Sequence, residues 1–188
     1  VSVEKSRVVR VIEAINAEVG LPISIDTTWA EVAEAALDVG ASVVNDISGF
    51  QLDPDLSSLV ADRGAGAVVM HNQRGLDHHD VIDDITSGFI TSLSICDSAG
   101  VDSSKLILDP GFGFGWSVSQ NLEILRRLPE LAHLEFPLLI GTSKKSSIGT
   151  VLGSKVEERL FGTAATVTHA ICAGIDVVRI HDGSEMQD

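Results

Sequence analysis

Six short runs of β-branched and aliphatic residues recur along the chain: LPISIDT (21–27), ASVVNDISG (41–49), GAVVMH (66–71), KLILDPG (105–111), PLLIGTSKK (137–145) and DVVRIHD (176–182). Their apolar stretches are nearly continuous rather than alternating, the pattern of parallel strands buried on both faces. Between them, apolar residues return at helical spacing. TTWAEVAEAALDVG closes on Gly40, DPDLSSLVADRG opens on a capping Asp53 and closes on Gly64, and HDVIDDITSGFITSLSICDSAG closes on Gly100. SQNLEILRRLPEL and KVEERLFGTAATVTHAICAG follow as two more helical stretches. Ahead of the first strand, a helix over 2–19 places Val8, Val11, Ile12 and Ile15 on one face.

Strands and helices alternating without a break predict an α/β fold with a parallel sheet. Right-handed crossovers leave an open doubly wound sheet or a closed barrel. The polar strand ends separate the two. Asp26, Asn45, His71, Asp109, Ser143 and His181 all fall at carboxyl ends, one on each strand. An open sheet gathers functional residues on a few strands at its switch point, whereas a barrel rim collects them from all. The expectation is therefore a TIM (β/α)8 barrel, incomplete in this chain. Six strands and a leading helix read as α2 through β8 of the eight-fold pattern. They form a single domain over 1–188, truncated at both ends.

Composition narrows the partners. A net charge of −14 argues against nucleic acid and anionic membrane, both of which require cationic surface. It leaves room for a small anionic ligand held by a few local cations. The apolar share of 44% and mean hydropathy of +0.25 support a large core. No apolar run reaches the roughly 18 residues of a membrane span. The opening VSVEKSRVVR lacks the apolar core of a signal peptide. Cys96 and Cys172 fall in helical stretches, and two cysteines in 188 residues are no disulfide scaffold. A cytoplasmic, reducing location is expected.

The rim residues suit a flat, nitrogen-rich ligand. Carboxylates at Asp26 and Asp109 accept from ring N–H and amino groups, and the Asn45 carboxamide both donates and accepts. The competing reading is that strand-end Asp and Asn cap the following helices. It is weaker at Asp109, where Pro110 and Gly111 follow. A divalent ion held by Asp26, Asp109 and His71 is a third possibility, but no local ligand spacing supports it. GTSKKS (141–146) brings two lysines to a strand end in an acidic chain, and Lys145 is placed to meet a ring carbonyl or a leaving group. In RIHD, Arg179 and His181 lie two residues apart and so on one side of a strand, the geometry of an anion site. Its rival is an Arg179 pair with Asp176 or Asp182. His78 and His79 belong to a loop entering a helix, and His169 to a core or interface position. Asp80, Asp83 and Asp84 read as a solvated helix start. GFGFG lacks the lysine and hydroxyl of a phosphate loop.

In order and spacing, SIDT, NDISG, MH, ILDPGFGFG, GTSKKS and VVRIHD closely resemble the dihydropteroate synthase family, over essentially the whole chain. That resemblance implies the eight-stranded barrel. It also implies synthesis of dihydropteroate from para-aminobenzoate and hydroxymethyl-dihydropterin pyrophosphate. Asp26, Asn45, Asp109 and Lys145 match the pterin pocket, Met70 and Phe114 its apolar walls, and Gly141 the room for the ring. Arg179 and His181 match the site for the pyrophosphate end, and Ser143 the aminobenzoate side. Lys145, Arg179 and His181 carry the catalytic load. A Mg2+ cofactor, a homodimer and sulfonamide sensitivity are implied as well. Three departures stand out. Lys144 replaces the Arg of a Ser-Arg-Lys run. Trp116 stands where a basic residue is common after GFG. The loops carrying the magnesium-holding Asn have no counterpart. Two other readings stay open: a methyltetrahydrofolate–corrinoid methyltransferase, and an inactive ligand-binding fragment.

Overall fold

In the computed structural model, which describes residues 1–187, every expected strand is present, in shorter form. The elements run α1 (Ser2–Glu18), β1 (Ser24–Asp26), α2 (Ala30–Asp38), β2 (Val43–Asp46), α3 (Pro54–Arg63), β3 (Gly66–Met70), α4 (Val81–Ala99) and β4 (Leu106–Asp109). Then come α5 (Val118–Arg127), β5 (Leu139–Ile140), α6 (Ser146–Leu152), α7 (Leu160–Cys172) and β6 (Val177–Val178). Two compact units share the chain: Val1–Met70 with Gly88–Ile107, and His71–Ser87 with everything from Leu108 onward.

In the first unit β1, β2 and β3 pair in parallel, with Asp26 opposite Asn45 and Asn45 opposite Val68. β1 and β2 each end on an aspartate, Asp26 and Asp46, and β3 ends on Met70. Helix α3 shows how local chemistry sets an element's bounds. Asp53 accepts the Asp55 N–H, Pro54 takes the first turn, where its missing donor costs nothing, and Gly64 ends the helix at φ 57°. Val32, Ala33, Ala36, Val44, Leu56, Val60 and Val69 are sealed from solvent in this unit's core. Burial of each Val or Leu is worth roughly 1.5–3 kcal/mol.

In the second unit β5 and β6 pair in parallel, and Leu108 of β4 bridges to Leu138. Leu108, Phe112, Ile124, Leu128, Leu131 and Ile140 form its core. Helix α5 opens on a Ser117–Gln120 capping box and passes into a 3-10 stretch over Leu128–Leu134. Pro129, with no N–H to give, breaks the expected continuous helix there. The expected helix from Lys155 likewise begins with a 3-10 turn, Val156–Glu158, ahead of α7.

Helix α6 is absent from the expectation. Its seven residues follow directly on the lysine pair, and Gly149 in its interior masked a short apolar pattern that Gly153 closes. His169 is exposed rather than in the core, and its Nε2 lies 3.0 Å from the Leu125 carbonyl oxygen. Asp80 is more than a solvated start: it accepts the Ile82 and Asp83 N–H groups and pairs with Arg127 at 2.7 Å.

Candidate functional site

In the first unit, register brings two polar strand ends together. The Asn45 amide donates to the Asp26 carboxylate at 2.7 Å, so the carboxylate and carboxamide form one hydrogen-bonding edge. The capping reading of Asp26 meets a helix start served by others: Ala30 N–H goes to Asp53 and Trp29 N–H to Thr27. Met70 closes β3 fully buried.

The residue after Asn45 was not among the expected site residues, yet it shapes this edge. Asp46 points to the opposite face and is wholly buried. Its carboxylate accepts from Ser48 N at 2.8 Å, Ser48 Oγ at 2.8 Å and Phe50 N at 2.7 Å. Burial pushes its pKa up against the lowering effect of those donors. The chain then turns through two left-handed residues, Gly49 at φ 63° and Phe50 at φ 62°. A Cβ on Gly49 would lie 2.3 Å from Ser92 Oγ, so only glycine lets the turn close. The Asp-x-Ser spacing of NDISG, an Asx-turn signature, is the signal that marks Asp46.

The second unit gathers the remaining expected residues. Asp109 is buried at the end of β4, where it accepts the Gly111 N–H at 2.8 Å, and its carbonyl takes the His71 N–H at 2.9 Å. The glycine-phenylalanine loop that follows is pinned against residues 71–74. Gln73 N donates to the Phe114 carbonyl at 3.2 Å. A Cβ on Gly115 (φ 86°) would fall 2.4 Å from Arg74 N. Trp116, buried, lies 5.7 Å from the His71 ring and meets the His78 ring edge-on at 5.8 Å. It fills an aromatic cluster instead of supplying a charge. His71 is buried too, Nε2 2.8 Å from Gln73 Oε1, and burial lowers its pKa.

Phe114 is half-buried and carries two cations on its ring. Lys145 Nζ stands 4.2 Å from the centroid and Arg74 Cζ 4.7 Å. Burial pulls the Lys145 ammonium below its ordinary pKa. The Asp109 charge pulls the other way, and the charges of Arg179 and Arg74 add to the depression. Gly141 sits beside Arg179, where an added Cβ would make an ordinary 3.7 Å contact. His181 is exposed and oriented by buried Ser143, whose Oγ accepts the His181 N–H at 3.2 Å and lies 2.9 Å from its Nδ1.

The two acids that competed for Arg179 have other partners: Asp182 pairs with Lys144 at 2.6 Å, and Asp176 accepts the Leu138 N–H. Lys144 thus spends its charge on Asp182, away from the role a guanidinium would have there. His78 and His79 both face Asp84.

Residues 1–181 match the model of the pterin binding enzyme family. The chain belongs to that family. Within it, the chain is 44% identical over 179 residues to dihydropteroate synthase of Bacillus subtilis, covering 95% of this chain and 63% of that protein. It therefore spans a little under two thirds of that relative's length. Among solved structures it is similar to a Clostridium difficile dihydropteroate synthase determined in the presence of pteroic acid, at TM-score 0.94 and 44% identity. That match covers 97% of this chain and 70% of that one. It is also similar to the Xanthomonas albilineans dihydropteroate synthase in complex with 7,8-dihydropteroate, at TM-score 0.93 and 35% identity, covering 97% and 70%. The fold class is the TIM barrel, and this chain holds six strands of that pattern.

Proposed function

We propose that this protein is a dihydropteroate synthase, joining para-aminobenzoate to hydroxymethyl-dihydropterin pyrophosphate with release of pyrophosphate. The observation that carries the reading is Lys145, a half-buried ammonium held over Phe114 within the fields of Asp109 and Arg179. Here one carboxylate suited to a pterin's amino and ring N–H groups stands beside cations suited to a leaving anion.

In the reaction the arylamine nitrogen attacks the pterin methylene carbon. The carbon–oxygen bond breaks, its electron pair leaves with pyrophosphate, and the amine loses a proton to solvent or to the departing group. The chain's residues act by positioning and electrostatics. Within the first unit Asp26 and Asn45 offer a pterin's polar edge its partners and Met70 an apolar wall; within the second Asp109 offers the carboxylate, Phe114 the wall and Gly141 the room for a ring. Lys145 and Arg179 meet the growing negative charge. With Nδ1 accepting the Ser143 hydroxyl proton, His181 keeps an Nε2–H to donate to a phosphate oxygen. Ser143 also sits on the aminobenzoate side.

Magnesium would neutralise the pyrophosphate as it leaves. Mg2+ is the cofactor the family resemblance implies, held with the substrate's phosphates and not by a cluster of this chain's side chains: among the described residues no three His, Cys, Asp or Glu gather as a metal site. Among these residues too, no helix is long and apolar enough to cross a membrane. A cytoplasmic, sulfonamide-sensitive homodimer completes the proposal. Support for the dimer is the apolar outer face of α6 and α7, where Val151, Leu152 and Phe161 are exposed beside a cavity of about 200 Å³.

The test is a dihydropteroate-formation assay of the full-length protein with both substrates. Formation of dihydropteroate that falls by two or more orders of magnitude in Lys145→Ala supports the reading. A folded protein that binds neither hydroxymethylpterin nor pyrophosphate sinks it.

A further inference from the structure

We propose that Arg74 is a further binding residue for the anionic end of the substrate, completing a cationic group with Lys145 and Arg179. The inference rests on the synthase reading above and adds to it a residue from the loop after β3.

Three observations lead there. First, Arg74 and Lys145 stand over the same Phe114 ring, at 4.7 and 4.2 Å from its centroid. An aromatic face attracts one cation and thereby tolerates a second, but it neutralises neither. Second, neither side chain forms an ion pair with a carboxylate among the described residues, although the chain carries 27 acidic residues to 13 basic ones. Other cations of this chain are paired: Arg63 with Asp38 and Glu34, Arg127 with Asp80, Glu123 and Glu130, Lys144 with Asp182. The Asp109 charge offsets part of the repulsion at Lys145, but the charges of Arg74 and Arg179 still oppose its ammonium, and an anionic ligand would relieve what is left. Third, the backbone is built to hold Arg74 in place. Gln73 N bonds the Phe114 carbonyl, and Gly115 admits the Arg74 amide at a distance no side chain would allow. The loop is further anchored by Arg74 N on Asn72 Oδ1 at 3.2 Å and by Gln73 Nε2 on the Asp77 carbonyl at 2.8 Å.

The ligand this group fits is a diphosphate ester or free pyrophosphate, an anion of about three negative charges with enough oxygens to meet several cations at once. Arg74, exposed at the tip, offers a planar fork that receives two phosphate oxygens together, which the single ammonium of Lys145 does not.

Calorimetry on the chain with inorganic pyrophosphate, and separately with uncharged 6-hydroxymethylpterin, tests this in the wild type, Arg74→Gln and Arg74→Lys. The expected result is about tenfold weaker pyrophosphate binding in Arg74→Gln, pterin affinity held within about twofold, and recovery of most of the loss in Arg74→Lys. Unchanged pyrophosphate affinity in folded Arg74→Gln overturns the assignment. So does an equal loss of both ligands, which would make Arg74 a support for the loop. A wild type that binds pterin but no pyrophosphate overturns the cationic group alone, and one that binds neither overturns the synthase reading with it.

Discussion

The buried carboxylate of Asp46 accepts the backbone N–H of Phe50 at 2.7 Å, and this bond holds a phenylalanine in the left-handed region at φ 62°. A non-glycine residue pays about 1 kcal/mol or more to sit there, so the bond offsets a local strain as well as satisfying a buried donor. Asp46→Ala leaves the Ser48 and Phe50 N–H groups without their partner. It should cost about 2–3 kcal/mol of unfolding free energy, measured by urea denaturation. The pH dependence has a definite sign. Burial raises the folded pKa above the ordinary 3.8. Stability from this group is therefore full below 3.8 and declines as pH rises from there through the raised folded value. Asp46→Asn should flatten that decline in a series of melts across pH.

His71 works in the opposite direction. Its folded pKa lies below the ordinary 6.5 because the ring is buried against Trp116. Its contribution is present above 6.5 and is lost as pH falls from 6.5 through the lowered folded value. His71→Gln should remove that acid limb of the stability profile. A melting temperature that falls just as steeply between pH 7 and pH 5 in the variant would assign the limb to other groups.

At Gly115 the backbone of residues 73 and 74 leaves no room for a side chain. Gly115→Ala places a methyl against Arg74 N and puts alanine at φ 86°, for a combined cost of roughly 2–4 kcal/mol. Trp116 reports on the same contact, so the variant's tryptophan emission should shift to the red as its ring gains water. An unmoved spectrum with wild-type stability would mean the loops separate at no cost.

Asp109→Asn keeps the shape of the carboxyl group and removes its charge. Pterin affinity should fall by about 1–3 kcal/mol, the scale of a charge-assisted hydrogen bond at a buried position. Calorimetry with hydroxymethylpterin gives the answer directly, and an unchanged affinity in the folded variant would take Asp109 out of the pterin's reach.

Much of this was legible in the residues, and the parts that were not have physical reasons. Strand-end polar residues after apolar runs marked Asp26, Asn45, Asp109 and Ser143, because side-chain type at a strand terminus is a local signal. So were the caps of α3, where Asp53, Pro54 and Gly64 each carry their own conformational preference. Asp46 goes unmarked because its neighbour Asn45 accounts for the same motif, and the three donors that hold its carboxylate come into view only in the fold. Helix α6 was overlooked because seven residues with a central glycine give too few turns for a periodicity to show. Arg74 sits in a stretch with no strand or helix pattern, and its meaning comes from Phe114, 40 positions away. The contact between Ser143 and His181 was not legible, because it pairs residues 38 positions apart.

Helix α7 and the residue just before it grip the Lys144 peptide on both sides. Thr163 Oγ1 takes the Lys144 N–H at 3.1 Å, and Arg159 Nη1 donates to the Lys144 carbonyl at 2.8 Å. Lys144 is thereby fixed at φ 56°, and Lys145 follows as the N-cap of α6. The entropy of ordering this loop is thus surrendered when the chain folds rather than when a ligand arrives. An anion reaching Lys145 meets a backbone already set, so its capture should run at the rate of diffusional encounter, with no slow closing phase in stopped-flow traces.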